Sequence, residues 1–295
     1  MKIPLLYKDR REEGDTSVRK AQLIELHLLE VFKDICDRHK LRFWLAGGTL
    51  LGAVRHRGFI PWDDDLDVMI LEEDYRKFLS FANNELPDDV YLETPSMAPR
   101  MENHITRLRD NYSWGLVRRS KRLLINDHHG VSIDIFPVRE CGNKNWLTKK
   151  ILRKLSSWYG YYKRAQYNEV TICNLLKKWS IGSLTLLTKF IFELTQLFCD
   201  KKYYVMASWF LNDRMWWPKS WLVQANQPCR MAMFEGIELP IPFEAELVLE
   251  MQYGDWRKLP AEDKRTGYLS IMLPTKPCFH PSAMVYPVRM ECSND

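Results

Sequence analysis

The segment FIPWDDDLDVMI, residues 59–70, decides how the rest of this sequence is interpreted, because it joins a run of acids to an apolar strand. Four of its residues are aspartates: Asp63, Asp64, Asp65 and Asp67. Like charges this close repel one another and disfavour joint ionisation unless a cation or a basic partner compensates them. The segment therefore predicts a positively charged partner at the end of a buried strand.

The spacing of the acids indicates what that partner is. Residues two apart in a strand project to the same face, so Asp65 and Asp67 share a face, and Asp63 joins them if the strand begins early. The apolar residues fall on the opposite face, which suits a core. Carboxylate oxygens are ligands for a hard divalent cation, and Mg²⁺ takes one or two of them while leaving room for water and substrate phosphates. The alternative is an acidic loop that caps a helix beginning at Glu72.

Two further features favour a site for a metal and a phosphate. Gly47, Gly48 and Thr49 follow an apolar strand and begin a helix, where backbone amides can approach a phosphate closely. Asp134 lies between two isoleucines in the strand-like segment SIDIF, residues 132–136. Because a buried aspartate needs a cation or a donor, Asp134 is a candidate third ligand beside Asp65 and Asp67.

The order of elements predicts an α/β core with a mixed sheet. Apolar periodicity indicates helices at residues 16–40, 49–58 and 72–86. Short apolar runs indicate strands at residues 43–46, 66–71, 90–95 and 131–138, the last of them ended by Pro137. We expect residues 1–140 to form the catalytic core, 141–215 a helical region, and 216–295 a C-terminal segment that completes the core.

One helix of the predicted helical region carries a continuous apolar stripe at a spacing of three and four residues. The stripe consists of Leu184, Leu187, Ile191, Leu194 and Phe198. Lys189 and Glu193 lie in the middle of the run, where charges oppose membrane insertion. The stripe therefore predicts a helix packed on the core, and the alternative is a helix lying in the membrane interface.

Bulk composition restricts the compartment and the partners. A formal net charge of +5 fits an anionic ligand or a membrane surface and is too small to indicate nucleic acid. Seven cysteines are scattered without a CxxC pair, which is typical of reduced thiols. The N-terminal apolar run is too short for a signal peptide. We expect a cytoplasmic protein, peripheral at the inner face of the membrane if the stripe touches lipid.

The motifs resemble those of a known family. A glycine pair with a hydroxyl residue, then Asp-x-Asp on the next strand and a single Asp on a later one, is similar to the nucleotidyltransferase superfamily related to DNA polymerase β. The long segment GGTLLGAVRHRGFIPWDDDLDV, residues 47–68, looks like the signature of the LicD family, which includes phosphocholine transferases and is related to the fukutin proteins. The segments IDIFPV, FEGIELPIP and YGDWRKLP extend the likeness toward the C-terminus.

The resemblance implies transfer of a phospho-alcohol, such as phosphocholine, from a CDP-alcohol to a hydroxyl of a cell-surface glycan or its lipid-linked precursor. Asp65, Asp67 and Asp134 would hold Mg²⁺ or Mn²⁺, which neutralises the diphosphate as the phosphorus–oxygen bond breaks. Asp63 would either complete the ligand set or accept the proton of the acceptor hydroxyl. The resemblance does not choose between the two roles, and it specifies neither the alcohol, the sugar nor the number of metal ions.

Arginines are the expected partners of the donor phosphates, because the guanidinium fork matches phosphate geometry. Arg55 lies between the glycine pair and the acids, and Arg107 resembles a basic position of the family before the last strand. Trp62 would pack beneath the acids or stack on a base or a quaternary ammonium. Gly267 and Tyr268 stand where many relatives carry a histidine, so the ligand contacts of the C-terminal segment can differ here.

Two other function classes remain open at the level of sequence. A nucleotidyltransferase would use a nucleoside triphosphate and release pyrophosphate, whereas a CDP-alcohol transferase would release CMP. A non-catalytic glycan- or membrane-binding protein could retain the fold, although the intact Asp65, Asp67 and Asp134 favour an enzyme. An Asp67→Asn variant with unchanged turnover would indicate the non-catalytic binding protein.

Overall fold

The computed structural model describes residues 9–94, 105–117, 128–142, 230–267 and 269–274, together with separate elements between residues 183 and 228. The N-terminal half has a short 3₁₀ turn at Arg11–Glu13 and then the elements α1 (Ser17–Arg38), β1 (Phe43–Leu45), α2 (Gly47–His56), β2 (Leu66–Leu71), α3 (Glu72–Glu85), β3 (Val90–Glu93), β4 (Thr106–Asp110), β5 (Trp114–Val117) and β6 (Ser132–Gly142). The remaining described elements are β7 (Lys201–Met206), β8 (Trp217–Pro218), β9 (Val223–Gln224), β10 (Gln227–Pro228), β11 (Arg230–Phe234), β12 (Ile237–Ile241), α4 (Ala245–Tyr253), a 3₁₀ turn at Glu262–Lys264, and β13 (Leu269–Leu273).

The main sheet is mixed, as the sequence predicts. Its strands run in the order β1-β2-β6-β4-β3, with β7 added to β6 and β8 added to β7. The β2–β6 pair is parallel, and its register places Asp67 beside Asp134. The other described pairs of this sheet are antiparallel. Acids that are far apart in the sequence therefore come together at the centre of the sheet.

Helix α1 covers the sheet because one face of it is apolar. The hydroxyl of Thr16 accepts a hydrogen bond from the amide of Arg19 and caps the first turn, which is the usual part of threonine at this position. Leu28 and Phe32 are completely buried on its inner face, and the ring of Phe32 meets Phe43 and Phe78 edge-on at 5.0 Å. Burial of such side chains from water is the main stabilising contribution of this layer.

Two boundaries differ from the predictions. Helix α2 begins at Gly47, two residues earlier than predicted, because the glycine pair is part of its first turn. Strand β6 continues past Pro137 to Gly142. Its pairing with β4 ends at Ile135 and its pairing with β7 begins at Val138, so Pro137 lies in the gap between these two partners, where a missing N–H is tolerated.

The region of residues 141–215, predicted to be helical, also contains residues of the main sheet. Residues 141–142 belong to β6, and Lys201–Met206 is a strand of the main sheet. The tyrosines and the valine of KKYYVM favour a strand. The helical prediction followed from the many leucines and lysines of the wider region. The sheet therefore continues beyond the core predicted for residues 1–140, and most of residues 143–200 lie outside the described part of the chain.

The stripe helix is described at eight positions between residues 183 and 197, and its apolar side chains are exposed. We call the following set the exposed stripe: Leu184, Leu186, Leu187, Phe190, Ile191, Leu194 and Leu197. The prediction that this face packs on the core is wrong for these residues, since Leu187 is 55% exposed. Phe198 lies outside the described residues. Within the described residues, no helix is both long and apolar enough to cross a membrane.

The C-terminal elements pack on the same core as the N-terminal half. Strands β11 and β12 form a hairpin whose Phe234 is completely buried and meets Phe59 edge-on at 4.8 Å. Helix α4 buries Val248 and Leu249 in that core. Residues 230–256 thus reach the segment that carries the acids. The boundaries of the three predicted domains stay a prediction.

Candidate active site

The acids predicted to form a site converge beside the N-terminus of α2. Asp63 and Asp65 lie in the segment before β2, Asp67 is the second residue of β2, and Asp134 is its partner on β6. A Cβ atom at Gly47 would lie 2.5 Å from Oδ2 of Asp67, and one at Gly48 would lie 2.6 Å from Oδ2 of Asp63. The glycine pair is therefore required for the close approach of these carboxylates to the helix.

Gly47, Gly48 and Thr49 remain candidates for phosphate contact, and the side chain of Thr49 also has a structural role. Gly47 has a φ of +53°, a conformation that favours glycine, and both glycines are half-buried beside the acids. Thr49 is buried, and its Oγ1 accepts a hydrogen bond of 2.8 Å from the amide of Asp67. Thr49 thus holds the backbone that carries Asp67, and its predicted contact with phosphate stays a prediction.

The three acids next to α2 share uncompensated negative charge. Burial, the charges of Asp65 and Asp64, and a hydrogen bond with Asp65 raise the pKa of Asp63 to about 9. Burial and the charges of Asp134 and Asp64 also raise the pKa of Asp65. Burial and the neighbouring acids raise the pKa of Asp67 well above its usual range, although Arg107 opposes this shift. A group of carboxylates in this state favours either protons or an added cation.

Asp134 and Arg107 are paired with each other. The Nε atom of Arg107 donates to Oδ1 of Asp134 at 2.6 Å, and the antiparallel register of β4 and β6 places the two residues side by side. Arg107 is 5% exposed and also lies 4.0 Å from Glu93. The charge of Asp134 is therefore already compensated within the protein. Metal binding by Asp134 and phosphate binding by Arg107 stay predictions, and either would require this pair to rearrange.

Arg55 faces the C-terminal part of the site. Its Nη1 donates to the backbone oxygen of Trp256 at 2.7 Å, and burial lowers its pKa. Tyr253, at the end of α4, lies close to the acids, since burial and the charges of Asp67, Asp63 and Asp65 raise the pKa of its phenol. Tyr253 belongs to the segment YGDWRKLP, and the sequence does not predict it as a site residue. Only the motif could have identified Tyr253 as a site residue, because its position in the sequence does not connect it to residues 63–67.

Trp62 is half-buried at the rim of the acidic segment. The guanidinium of Arg265 lies 5.1 Å from the centre of its ring, and the ring of His56 meets it edge-on at 6.5 Å. A Cβ atom at Gly267 would lie 2.6 Å from Oδ2 of Asp64. A larger residue at position 267 would thus displace Asp64, which gives a physical reason for glycine at this departure from the family pattern.

Helix α1 contributes an acid that sequence reasoning missed. Glu25 is 1% exposed, and neither of its carboxyl oxygens has a hydrogen-bond partner among the described residues. Burial, followed by the charges of the four aspartates at positions 63, 64, 65 and 67, raises its pKa well above the usual range. The only signal is a glutamate within the largely apolar run LIELHLL. A glutamate in such a run is also typical of a surface position of an amphipathic helix.

The donor chemistry of the site fits Mg²⁺ or Mn²⁺, whereas its geometry is not that of a completed metal site. Among the described residues, no three His, Cys, Asp or Glu side chains are arranged to hold a metal ion. The hydrogen bond between Asp63 and Asp65 and the pairing of Asp134 with Arg107 account for this. The oxygens of Asp63, Asp65 and Asp67 are hard ligands with unfavourable mutual charge, which is the chemistry that a divalent cation relieves.

Comparisons with known proteins agree with the geometry. Residues 40–177 match the family model described as LicD/FKTN/FKRP, nucleotidyltransferase domain. The lipopolysaccharide cholinephosphotransferase LicD of Haemophilus influenzae is 28% identical over 263 residues, which are 84% of this chain and 94% of that protein. An uncharacterized protein of Rickettsia prowazekii is 42% identical over 177 residues, 58% of this chain and 54% of its own length. Human ribitol 5-phosphate transferase FKRP is 59% identical over 34 residues, 12% of this chain and 7% of that protein.

Proposed function

Because this chain belongs to the LicD family, we propose that it transfers a phospho-alcohol from a CDP-alcohol to a hydroxyl of a cell-surface glycan or its lipid-linked precursor. The proposed fold of the core is that of a nucleotidyltransferase, and the proposed cofactor is Mg²⁺ or Mn²⁺. The observation that carries the proposal is the group of three uncompensated aspartates beside the glycine-rich start of α2.

In the proposed reaction, the acceptor oxygen forms a bond to the phosphorus that carries the alcohol. The bond from that phosphorus to the bridging oxygen breaks, and CMP leaves with the electron pair. The proton of the acceptor hydroxyl passes to Asp63 or to water. The products are CMP and a glycan phosphodiester, so atoms and charge balance without another reactant.

The protein's own residues would divide the work as follows. Asp65 and Asp67, with Asp63 or Asp134, would hold the cation, and a bound cation supplies charge neutralisation of the diphosphate. The amides at Gly47 and Gly48 would approach a phosphate oxygen at the positive end of α2. Arg55, which is bound to the backbone of Trp256, would contact the donor phosphates, and the charges of the acids act on the phenol of Tyr253.

The description of the matched family as a nucleotidyltransferase domain favours one second candidate. In that reaction a nucleoside triphosphate would transfer its nucleotide monophosphate and release pyrophosphate. The same acids would hold the cation in both reactions. The leaving group therefore distinguishes the two candidates, whereas the acidic cluster does not.

The experiment that tests the proposal is a panel of CDP-alcohols and nucleoside triphosphates with Mg²⁺, scored for release of CMP and of pyrophosphate. We expect CMP from at least one CDP-alcohol, and no CMP once EDTA has removed the cation. The matched control is Asp67→Asn, which keeps the shape of the side chain and removes its charge. Pyrophosphate without CMP would transfer the assignment to the second candidate, and donors that all stay intact would contradict both.

We also propose a cytoplasmic location with peripheral contact at the inner face of the membrane. The exposed stripe supports the contact, because seven large apolar side chains lie exposed on one helical segment. Contiguous apolar surface of this kind is typical of an interaction site. A lipid-linked acceptor would be reached from that surface.

A further inference from the structure

The turn between β11 and β12 has a backbone conformation that its sequence does not favour. Phe234 and Ile237 pair with each other, so Glu235 and Gly236 form a two-residue hairpin turn. Their φ angles are +51° and +86°. Turns with two positive φ values favour Asn-Gly or Asp-Gly, because asparagine and aspartate tolerate the first position better than glutamate does. A disfavoured backbone persists only where its surroundings hold it, and such positions concentrate at functional sites.

The side chain of Glu235 explains what holds it. Its Oε1 accepts a hydrogen bond of 3.1 Å from the amide of Phe59, and its Oε2 accepts one of 2.7 Å from Nη2 of Arg19. Its own amide donates to the backbone oxygen of Arg57 at 3.0 Å. A Cβ atom at Gly58 would collide with the carboxylate, so the glycine permits this approach. Glu235 therefore binds the segment that leads into the acids at two backbone positions.

Helix α1 holds the same segment from its other end. Nη1 of Arg19 donates to Oε1 of Gln22 at 3.1 Å, which orients the amide of Gln22. Nε2 of Gln22 then donates to the backbone oxygens of Ile60 and Asp63, at 3.1 and 2.8 Å. Gln22 is 3% exposed, so these bonds are sheltered from water. The bond to Asp63 ends on the backbone of one of the proposed catalytic acids.

We propose that Glu235, Arg19 and Gln22 are positioning residues that fix the acidic segment, residues 57–65, in the arrangement that receives the cation and the donor. We call these three residues the clamp. The inference deepens the proposed function and rests on it, and it assigns a role to the FEG part of the FEGIELPIP motif. None of the three side chains is proposed to touch substrate.

The clamp matters because carboxylates bind a small cation only within a narrow range of positions. A catalytic group displaced by 1 Å can cost about a hundredfold in rate. The residues before β2 form no strand or helix of their own, so their backbone position depends on contacts such as these. Loss of the clamp should therefore weaken cation binding and turnover more than it weakens the fold.

The decisive variant is Glu235→Asn. Asparagine suits the first position of this turn, so the hairpin should be as stable as before or more stable. Its side chain is one methylene shorter and cannot reach both Phe59 and Arg19. We expect an unchanged or higher Tm, a fall of about tenfold or more in kcat, and a rise of about tenfold in the Mn²⁺ concentration for half-maximal activity. Glu235→Gln, which keeps an oxygen for Phe59, should recover part of that loss.

The matched control is Glu246→Gln. Glu246 accepts a hydrogen bond of 2.8 Å from Arg230, so the variant removes an ion pair of similar length that involves the same hairpin but does not touch the acidic segment. Its kcat and Mn²⁺ dependence should match those of the unmodified protein. If Glu235→Asn does not fold, Arg19→Met breaks the clamp from the helix side and gives the same test.

Amide hydrogen exchange separates this inference from the proposed function, because it needs neither donor nor cation. Amides of residues 57–63 should exchange at least about tenfold faster in Glu235→Asn and unchanged in Glu246→Gln. Equal exchange in both variants, or a loss of turnover that Glu246→Gln reproduces, would overturn the clamp. Faster exchange in a protein that never releases CMP would retain the clamp and contradict the proposed function instead.

Discussion

Two groups of acids in this protein, one half-buried and one buried, have opposite surroundings. The first, the acidic site, consists of Asp63, Asp65 and Asp67. The second, the arginine-paired acids, consists of Asp74, Glu93 and Asp110. Asp110 is completely buried and accepts hydrogen bonds from both terminal nitrogens of Arg11, at 2.7 and 3.2 Å, and Asp74 accepts a bond of 2.9 Å from Nε of Arg42. Within the described part of the chain, Asp63 and Asp65 have no arginine partner of this kind and hydrogen-bond with each other.

The pKa of Asp74 expresses the same difference, whereas burial raises the pKa of Asp110 although Arg11 opposes this shift. Burial alone would raise the pKa of Asp74, but hydrogen bonds from Arg42 and Lys77 outweigh it and leave this pKa below its usual value. In the acidic site burial and neighbouring charges act in the same direction and raise the pKa of all three acids. A carboxylate that stabilises the fold is paired with an arginine or lysine of the chain. A carboxylate that binds a ligand is available to an added cation. We therefore expect substitutions in the acidic site to lower turnover, and substitutions among the arginine-paired acids to lower the free energy of unfolding.

The largest expected effect is that of Asp67→Asn on turnover. Removal of a cation ligand should lower CMP release by about a thousandfold, the scale of losing a main electrostatic contact in an active site. The free energy of unfolding should be unchanged or higher, because one of the repelling charges is gone. Single-turnover kinetics and urea denaturation of the same preparation measure both. Turnover within tenfold of the unmodified protein would remove Asp67 from the site.

The converse variant is Asp110→Asn. Arg11 would stay buried without its counter-charge, and breaking one partner of such a pair typically costs about 3–5 kcal/mol. We expect a loss of that size in the free energy of unfolding, measured by urea denaturation, with turnover of the folded fraction retained. A stability equal to that of Asp67→Asn would erase the distinction between the two groups of acids.

The third prediction concerns pH and added cation. An acid whose pKa is raised in the folded state binds more protons folded than unfolded, so stability falls as pH rises from its usual pKa, 3.8 for Asp63, to its folded pKa of about 9. Without divalent cation, the Tm should therefore decline across this window. At neutral pH, Mg²⁺ at about 100 times its Kd should add about 2.7 kcal/mol to the free energy of unfolding. At that same Mg²⁺ concentration, the added stability should grow with pH.

Thermal denaturation in EDTA and in Mg²⁺ at several pH values measures this, with Asp67→Asn as the control that reduces both the decline and the gain. Asp74 acts in the reverse sense, because its lowered pKa contributes stability above its usual pKa that is lost as pH falls through the folded value. A Tm that does not respond to Mg²⁺ at any pH would contradict the cation site.

The smallest expected effect extends the comparison from acids to leucines. Leu28 is completely buried in the core, whereas Leu187 of the exposed stripe is 55% exposed. If lipid covers the stripe, Leu187→Glu should lower binding to anionic liposomes at low salt by about tenfold, the scale of one apolar side chain removed from water. Co-sedimentation measures it, and Leu259→Glu, at an exposed leucine outside the stripe, is the control. Equal binding by all three proteins would leave the stripe without a lipid partner.

The sequence predicted the parts of the fold that depend on local pattern. Helices α1 and α3 and strands β1 and β2 follow from apolar periodicity, and the alternation in LDVMIL correctly placed Asp67 opposite the core-facing residues. Strand β7 was missed because its aromatic residues read as part of a helical region. The extent of β6 was missed because a proline stops a strand only where its N–H is needed, and that depends on the neighbouring strands.

The site was predicted where residues are close in the sequence and missed where they are brought together by packing. The run from Asp63 to Asp67 carries its own signal, whereas Glu25, Gln22 and Glu235 reach it from elements remote in the chain. The pairing of Arg107 with Asp134 was also not predicted, because it follows from the register of β4 against β6. Periodicity identifies which face of an element is buried but not which element covers it.

The parallel pairing of Asp67 with Asp134 has a consequence for how such proteins can diversify. The two acids are register partners on β2 and β6, and the described elements between these strands, from α3 to β5, form an excursion from this strand pair. Insertions or deletions in that excursion outside β4, whose Arg107 pairs with Asp134, would leave the spacing of the two carboxylates intact. New acceptor preferences could therefore arise by remodelling the excursion, while the chemical centre is inherited unchanged.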